Sequence, residues 1–446
     1  MRYFPFIVFS VLLFNVGPAL GVDDSDPRVT HVVRSFRKAG PAVVNISTEQ
    51  VQKVGIFGGD PFEDIFPFPG PFVREVPVQS LGSGVVIHPR GYIITNAHVV
   101  RKAQKIAVTF SDKTRYEARV ISADPRHDLA VLKIDPPDGK AFPNLSLGRS
   151  DDLMVGETVI AVGNPLGLAN TVTTGVISAL DRTLTFDKGM EYTGLIQIDA
   201  PINPGNSGGP LLNIHGELIG INTAIRADAQ NIGFAIAVDT LAGELARLLD
   251  FEQINRVLFG ATVTPSRASG GGDELSVTAV RGGAPAEGKL LTGDRILAVD
   301  ETPVRQISDY TCAMLEAKPG STVRLKVLRD GNEQAVAVTV VAKPQPDGKA
   351  LARRLLGMTL RPVTPRIASE LRLPAQSGLL VVGIDSGGPA EATGIQLKDV
   401  LFQVGQYYVK DNDELGMVLE GVQSGQAVPI GVARGNMRAW VQIVAH

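Results

Sequence analysis

The chain has a single cysteine, Cys312, and a single tryptophan among 446 residues. A lone thiol has no partner within the chain, so no internal disulfide can staple the fold and stability must come from buried apolar surface. Charge of one sign is not in excess either: the formal net charge is −3 and no run of five like charges occurs. The basic stripe that a phosphate backbone needs is missing, which excludes nucleic acid as an expected partner. No cluster of Cys, His and carboxylates stands at metal-ligand spacing, and no glycine-rich phosphate loop is present. Neither a metal nor another cofactor is expected.

What is present is a chain that is 44% hydrophobic, long enough at roughly 150 residues per domain for about three domains. Its N-terminus carries Arg2, an apolar run from Phe4 to Val16, the helix breaker Gly17-Pro18, and small residues at Ala19 and Gly21. That pattern predicts a signal peptide over residues 1–21. About 20 apolar residues are needed to span a bilayer, and Pro5, Ser10 and Asn15 interrupt this shorter run, so export is expected in preference to anchoring.

Pro41–Ser47 reads as the first strand of a β domain. The stretch from Gly55 to Pro77 is rich in proline and phenylalanine and predicts a long surface loop; local collapse and a regulatory or self-association role both fit it. From Leu81 to Ile236 about a dozen short β-branched segments follow one another with no helix between them, which predicts a barrel or sandwich. Leu241–Leu249 reads as a closing helix with Asp239 as N-cap, so the first domain is expected over 22–250. Beyond it a module repeats. Gly282-Gly283-Ala284-Pro285-Ala286-Glu287 followed by Gly293–Val299 recurs as Ser386-Gly387-Gly388-Pro389-Ala390-Glu391 followed by Lys398–Val404. Two copies are expected, over 256–343 and 355–446, joined by a polar linker from Lys343 to Arg354.

Chemistry concentrates in Pro204-Gly205-Asn206-Ser207-Gly208-Gly209-Pro210, where one serine sits among glycines whose backbone can close round an oxyanion. The same residues fit the nucleophile elbow of α/β-hydrolases, or a plain turn. A nucleophilic serine needs a base and a group to orient it. His31, His88, His127, His215 and His446 read as surface side chains. His98 differs, lying in Thr95-Asn96-Ala97-His98-Val99-Val100 at a strand end. Asp128 heads the apolar strand Leu129–Ile134, where an unpaired carboxylate would be costly; capping of the turn at Asp124-Pro125 and pairing with an imidazolium explain it equally well. The order His98, Asp128, Ser207 is that of chymotrypsin-like proteases, and Pro210-Leu211-Leu212 after the serine is strand-like where an elbow would need a helix.

These segments, with Leu195–Ala200 and Asn231–Ile236, resemble the HtrA (Deg) family of exported serine proteases, and the repeats resemble PDZ domains. The resemblance implies a mostly β protein: a chymotrypsin-like double β-barrel protease domain followed by two PDZ domains. It implies that Ser207 is the nucleophile, His98 the base and Asp128 its orienting partner, with the N–H groups of Gly205 and Ser207 forming the oxyanion hole. Pro201 stands where trypsin-type enzymes place the acid that selects Lys or Arg, and Ile202 implies a small apolar pocket suited to Val, Ile or Ala. Asn206 stands where zymogen-activated relatives carry an Asp, which makes proteolytic activation unexpected. Phe259, Gly260 and Ala261 stand in the carboxylate-binding loop of the first PDZ copy, and Leu355-Leu356-Gly357-Met358 in that of the second; packing turns are the simpler alternative for both. The family further implies an exported, periplasmic, ATP-independent serine endopeptidase. It would degrade misfolded or unfolded polypeptides, bind their C-terminal peptides, and assemble as trimers or multiples of them; peripheral membrane association stays open. The rival expectation is a peptide-binding chaperone with subordinate proteolysis, and a third is a membrane-tethered stress sensor.

Overall fold

The first half of the chain is rich in the β-branched residues that favour strands, and its strands close into two barrels. The computed structural model describes residues 24–55, 73–101, 103–136, 139–165, 170–186, 190–203, 205–225, 231–267, 273–370, 377–405, 407–435 and 437–446. The expected signal peptide, 1–21, lies outside the described residues. Strands β1 (Val43–Gly55), β2 (Val73–His88), β3 (Tyr92–Thr95), β4 (Lys105–Thr109), β5 (Arg115–Asp124) and β6 (Leu129–Ile134) form a closed barrel in the order β1-β2-β3-β6-β5-β4. Strands β7 (Thr158–Gly163), β8 (Thr171–Phe186), β9 (Met190–Ile198), β10 (Pro210–Leu212), β11 (Leu218–Ile225) and β12 (Gly233–Ala237) form a second, in the order β10-β11-β12-β9-β8-β7. All six residues of β6 are buried, one face filling the barrel and the other packed beneath neighbouring elements.

Two expectations change here. The β1–β2 ladder runs out to Gly55↔Val73, so both ends of the expected Gly55–Pro77 loop are strand; its middle, 56–72, lies outside the described residues. The closing helix, Val238–Leu248, begins earlier than expected and is capped by Ala237. Strand β12 runs directly into it, so Asp239 falls in the first turn. There its N–H donates to Ser150 Oγ (3.0 Å) and its carboxylate accepts the Ser150 N–H (3.2 Å), satisfying a donor that a helix start leaves orphaned.

The first repeat belongs to the same compact unit as the barrels, a unit that ends at Ala342. Its sheet is ordered Ala261–Arg267, Asp273–Val280, Arg295–Val299, Thr322–Arg329, Asn332–Thr339, flanked by the helix Ile307–Met314. Gln306 Oε1 accepts the Leu147 N–H (3.0 Å) and Arg90 Nη2 donates to Thr302 Oγ1 (3.2 Å), fastening this module to the barrels. The second unit, Lys343–His446, repeats the sheet with strands Met358–Pro362, Leu379–Ile384, Val400–Val404, Ala427–Arg434 and Met437–Val444. One ion pair marks the duplication. Asp294 takes the Arg329 fork at 2.6 Å while Arg329 also donates to Lys289 O; Asp399 takes the Arg434 fork at 2.7 and 2.8 Å while Arg434 also donates to Gly394 O. Burial pushes the Asp294 carboxyl up, but the Arg329 fork and the Leu291 N–H outweigh it and hold its pKa below the usual value.

The expected linker is not one. Within the second unit Asp347 caps the helix Gly348–Leu351, and Ala352 and Leu355 are buried in the core. Gly348 lies so close to the helix Asn412–Leu419 that a Cβ would sit 1.9 Å from Asn412 O. Only glycine permits that approach.

His88, expected at the surface, is 3% exposed. Its Nδ1 accepts the Arg90 N–H (3.2 Å), and the Tyr92 ring stands edge-on to it at 5.9 Å. Burial lowers its pKa from 6.5 to about 4; Asp309 opposes the shift, while Arg90 and Lys133 reinforce it. Between those values the unfolded chain binds a proton that the folded chain refuses, so stability is constant above the window and falls as pH drops through it. The loss expected by pH 4 is about 3 kcal/mol. Urea midpoints across this range should fall more steeply for the wild-type chain than for His88→Gln; parallel slopes would show that His88 is not the group responsible.

Candidate active site

Strand β3 ends at Thr95, and a single helical turn, Ala97–Val100, follows with Asn96 at its cap. His98 rides on this turn. The loop entering β6 is tied to it, because Ala97 N and Asn96 Nδ2 both donate to Asp128 O, at 3.1 and 3.0 Å. Asp128 adopts a left-handed backbone (φ 52°), which swings its side chain back under the helical turn. Its carboxylate, 3% exposed, accepts His98 N on Oδ1 (3.0 Å), and His98 Nδ1 (2.8 Å) and Thr223 Oγ1 (2.7 Å) on Oδ2. An ionised carboxylate only accepts, so His98 Nδ1 carries the proton. The Nε2 lone pair is then left on the outer edge of a ring that is 45% exposed.

Ser207 comes from the other barrel, on the loop between β9 and β10. Gly205 has φ 97°, and a Cβ there would meet Pro165 Cβ at 2.4 Å, so the bend admits no other residue. Asn206 is 2% exposed and its Oδ1 accepts Thr171 Oγ1 (3.1 Å). Ser83, on β2 of the first barrel, fastens this loop: its N–H donates to Ser207 O (2.8 Å), its hydroxyl to Gly205 O (2.6 Å), and it accepts Asn164 N (2.7 Å). Among the described residues neither the Gly205 nor the Ser207 N–H donates a hydrogen bond. Ser207 Oγ donates to Thr223 O (2.8 Å) rather than to His98. Thr223 thereby bridges the nucleophile loop and Asp128, and burial followed by the Asp128 charge raises the nearby Tyr192 phenol to about 12.

Ser83 and Thr223 are not distinguishable in the sequence, since both read as ordinary strand residues. Ile202 is 7% exposed and packs with Ile177, Ile198 and Ala200 in the core of the second barrel; Gly233 lies against it. His127, expected as a solvated side chain, bonds Asp124 (2.7 Å) in a network with Glu244 and Arg247. In the first repeat the N–H groups of Phe259 and Gly260 both donate to Glu252 Oε1, at 2.9 and 2.6 Å, ahead of the strand that starts at Ala261. In the second copy Leu355 and Leu356 lie in the helical turn Ala352–Leu356, and Gly357 N donates back to Arg353 O (3.1 Å).

A trypsin-like peptidase domain model matches residues 82–221, and a PDZ domain model matches 257–340 and 355–444. The chain is 35% identical over 443 residues to a probable periplasmic serine endoprotease DegP-like of Halomonas elongata, covering 91% of each chain. It is 35% identical over 429 residues to the protein of that name from Chlamydia trachomatis, covering 91% of this chain and 84% of the relative. For the Pseudomonas savastanoi protein of the same name the identity is 32% over 480 residues, with 98% and 97% covered.

Proposed function

The chain belongs to the HtrA (Deg) family, among the DegP-like serine endoproteases, and from that premise we propose that His98, Asp128 and Ser207 carry its endopeptidase chemistry. The observation behind this reading is the His98 Nδ1–Asp128 Oδ2 bond, which leaves Nε2 free to accept, together with Thr223, which joins Asp128 to the Ser207 hydroxyl. Ser207 Oγ turns from Thr223 O to His98 Nε2 and attacks the scissile carbonyl carbon. Its proton passes to Nε2 and then to the departing amine as the C–N bond breaks; water repeats the sequence on the acyl-enzyme. The N–H groups of Gly205 and Ser207 receive the oxyanion, each supplying about 2.7–4 kcal/mol to the transition state.

The substrates in this reading are unfolded polypeptides cut after small apolar residues. Pro201 in place of an acid, and the buried apolar Ile202 behind it, support that preference. Phe259, Gly260 and Ala261 of the first PDZ module capture substrate C-termini. The domains run over 22–250, 256–342 and 343–446, the last now including the stretch first read as a linker; the chain is exported to the periplasm its relatives are named for, and it works as a trimer or a multiple of one. The resting Ser207–Thr223 bond favours a site that holds polypeptide before cutting it, which gives the chaperone reading a place within the same cycle.

Digestion of unfolded β-casein, with the new C-termini identified by mass spectrometry, tests the substrate class. Val, Ala and Ile are expected to dominate at the cut; a majority of Lys and Arg would overturn the apolar pocket.

A further inference from the structure

The first PDZ module already holds a carboxylate. The short helix Phe251–Ile254 is capped by Asp250, whose Oδ1 accepts the N–H groups of Glu252 (3.0 Å) and Gln253 (3.3 Å). Its far end is pinned as well, because Asn255 Nδ2 donates to Leu315 O (2.8 Å) and Ala317 O (3.0 Å), just past the helix Ile307–Met314. Between these ties the Glu252 side chain lies on the loop, its Oε1 taking both the Phe259 and Gly260 N–H groups while Oε2 faces Arg281 Nη1 at 3.4 Å. Gly260 has φ 91° and an added Cβ would stand 2.0 Å from Ala284 Cβ. The backbone is thus already shaped as a concave anion nest.

Phe251, next to that carboxylate, is 6% exposed and meets the Phe259 ring edge-on at 5.7 Å. It lines the cleft that Val263, Tyr310 and Thr311 border between the first strand and the helix of the module. The strap therefore offers the groove an apolar side chain beside a carboxylate, the two features a terminal residue presents. The cleft that remains is about 180 Å³, below the roughly 300 Å³ at which ligand pockets begin.

We propose that Glu252 is a built-in ligand of the first PDZ module, and that a peptide C-terminus binds there by displacing it. This rests on the reading of Phe259–Ala261 as a carboxylate-capture loop. Bonds from N–H groups to a charged acceptor are roughly twice as strong as neutral ones. The tethered side chain competes at a local concentration on the order of millimolar. The module thus answers only to termini that are abundant or that bring further contacts along the strand.

Fluorescence anisotropy on the full chain carrying Ser207→Ala, which prevents cutting, reads this directly. The probes are one labelled decapeptide ending in Val with a free carboxylate and the same peptide as its amide. Glu252→Ala is expected to tighten binding of the free acid by about tenfold or more, since the loop no longer has to be vacated first. Glu252→Gln, which keeps an acceptor without charge and preserves the strap, should give a smaller gain, and neither change should alter binding of the amide. Parent and variants binding the acid equally, each in preference to the amide, would overturn the internal ligand while leaving carboxylate capture intact. If none distinguishes acid from amide, the capture reading falls and the proposal with it.

Discussion

Ser207→Ala is expected to lower turnover of unfolded casein by at least about 10⁴-fold, leaving the residual rate that binding and oxyanion stabilisation alone can sustain. The fold should survive, because among the described residues the hydroxyl bonds Thr223 O alone, and a bond of that kind contributes about 1 kcal/mol. The melting temperature therefore separates a catalytic loss from an unfolding one. His98→Ala should cost about as much, and the double variant little more than either single one, since a nucleophile without its base and a base without its nucleophile are equally idle. Cleavage that persists in Ser207→Ala at the parent rate would remove the serine from its role.

Asp128→Asn should come next, at about 10⁴-fold in kcat. The carboxylate accepts on both oxygens: His98 N on Oδ1, and His98 Nδ1 with Thr223 Oγ1 on Oδ2. An amide accepts at only one end. With its NH₂ toward Nδ1, the imidazole must accept there and carry its proton on Nε2, where the base is needed. With its NH₂ toward His98 N, two donors face each other and the helical turn is pushed away. Either arrangement predicts a fall in kcat with KM nearly unchanged, because no substrate contact is removed. A fall confined to KM would mean that Asp128 shapes the cleft instead of orienting the ring.

Much of this molecule could be read from its sequence where the physics is local or periodic. Runs such as Leu129–Ile134 announce strands, and the duplicated Gly-Asp and Lys-Asp segments carry Asp294 and Asp399, the acids that take the Arg329 and Arg434 forks. The candidate pair His98 and Asp128 was legible because a histidine at a strand end and an acid heading an apolar strand each ask for a partner. What escaped depended on approach between distant segments. Thr223 is an ordinary strand residue until its hydroxyl meets Asp128, 95 positions away. His88 looks solvent-facing until the helix Ile307–Met314, far along the chain, packs against its strand and the residue is buried. The stretch after Lys343 has linker composition, and only the fit of Gly348 against Asn412 makes it part of a core. Glu252 is an unremarkable helix acid unless the loop eight residues on has its N–H groups turned inward.

The hold that Ser83 keeps on the Gly205–Ser207 loop has a bearing on how the chain survives its own synthesis. One barrel contributes Ser83, His98 and Asp128; the other contributes Thr223 and the serine. A nascent chain with only its first barrel folded has a base and no nucleophile. With its second barrel misdocked, the serine loop keeps its ties to Thr171 and Thr223 but loses both of its bonds to Ser83 and has no base opposite it. With the catalytic roles proposed above, peptide-bond cleavage is withheld until both halves have joined, so a copy still folding is not armed against its siblings.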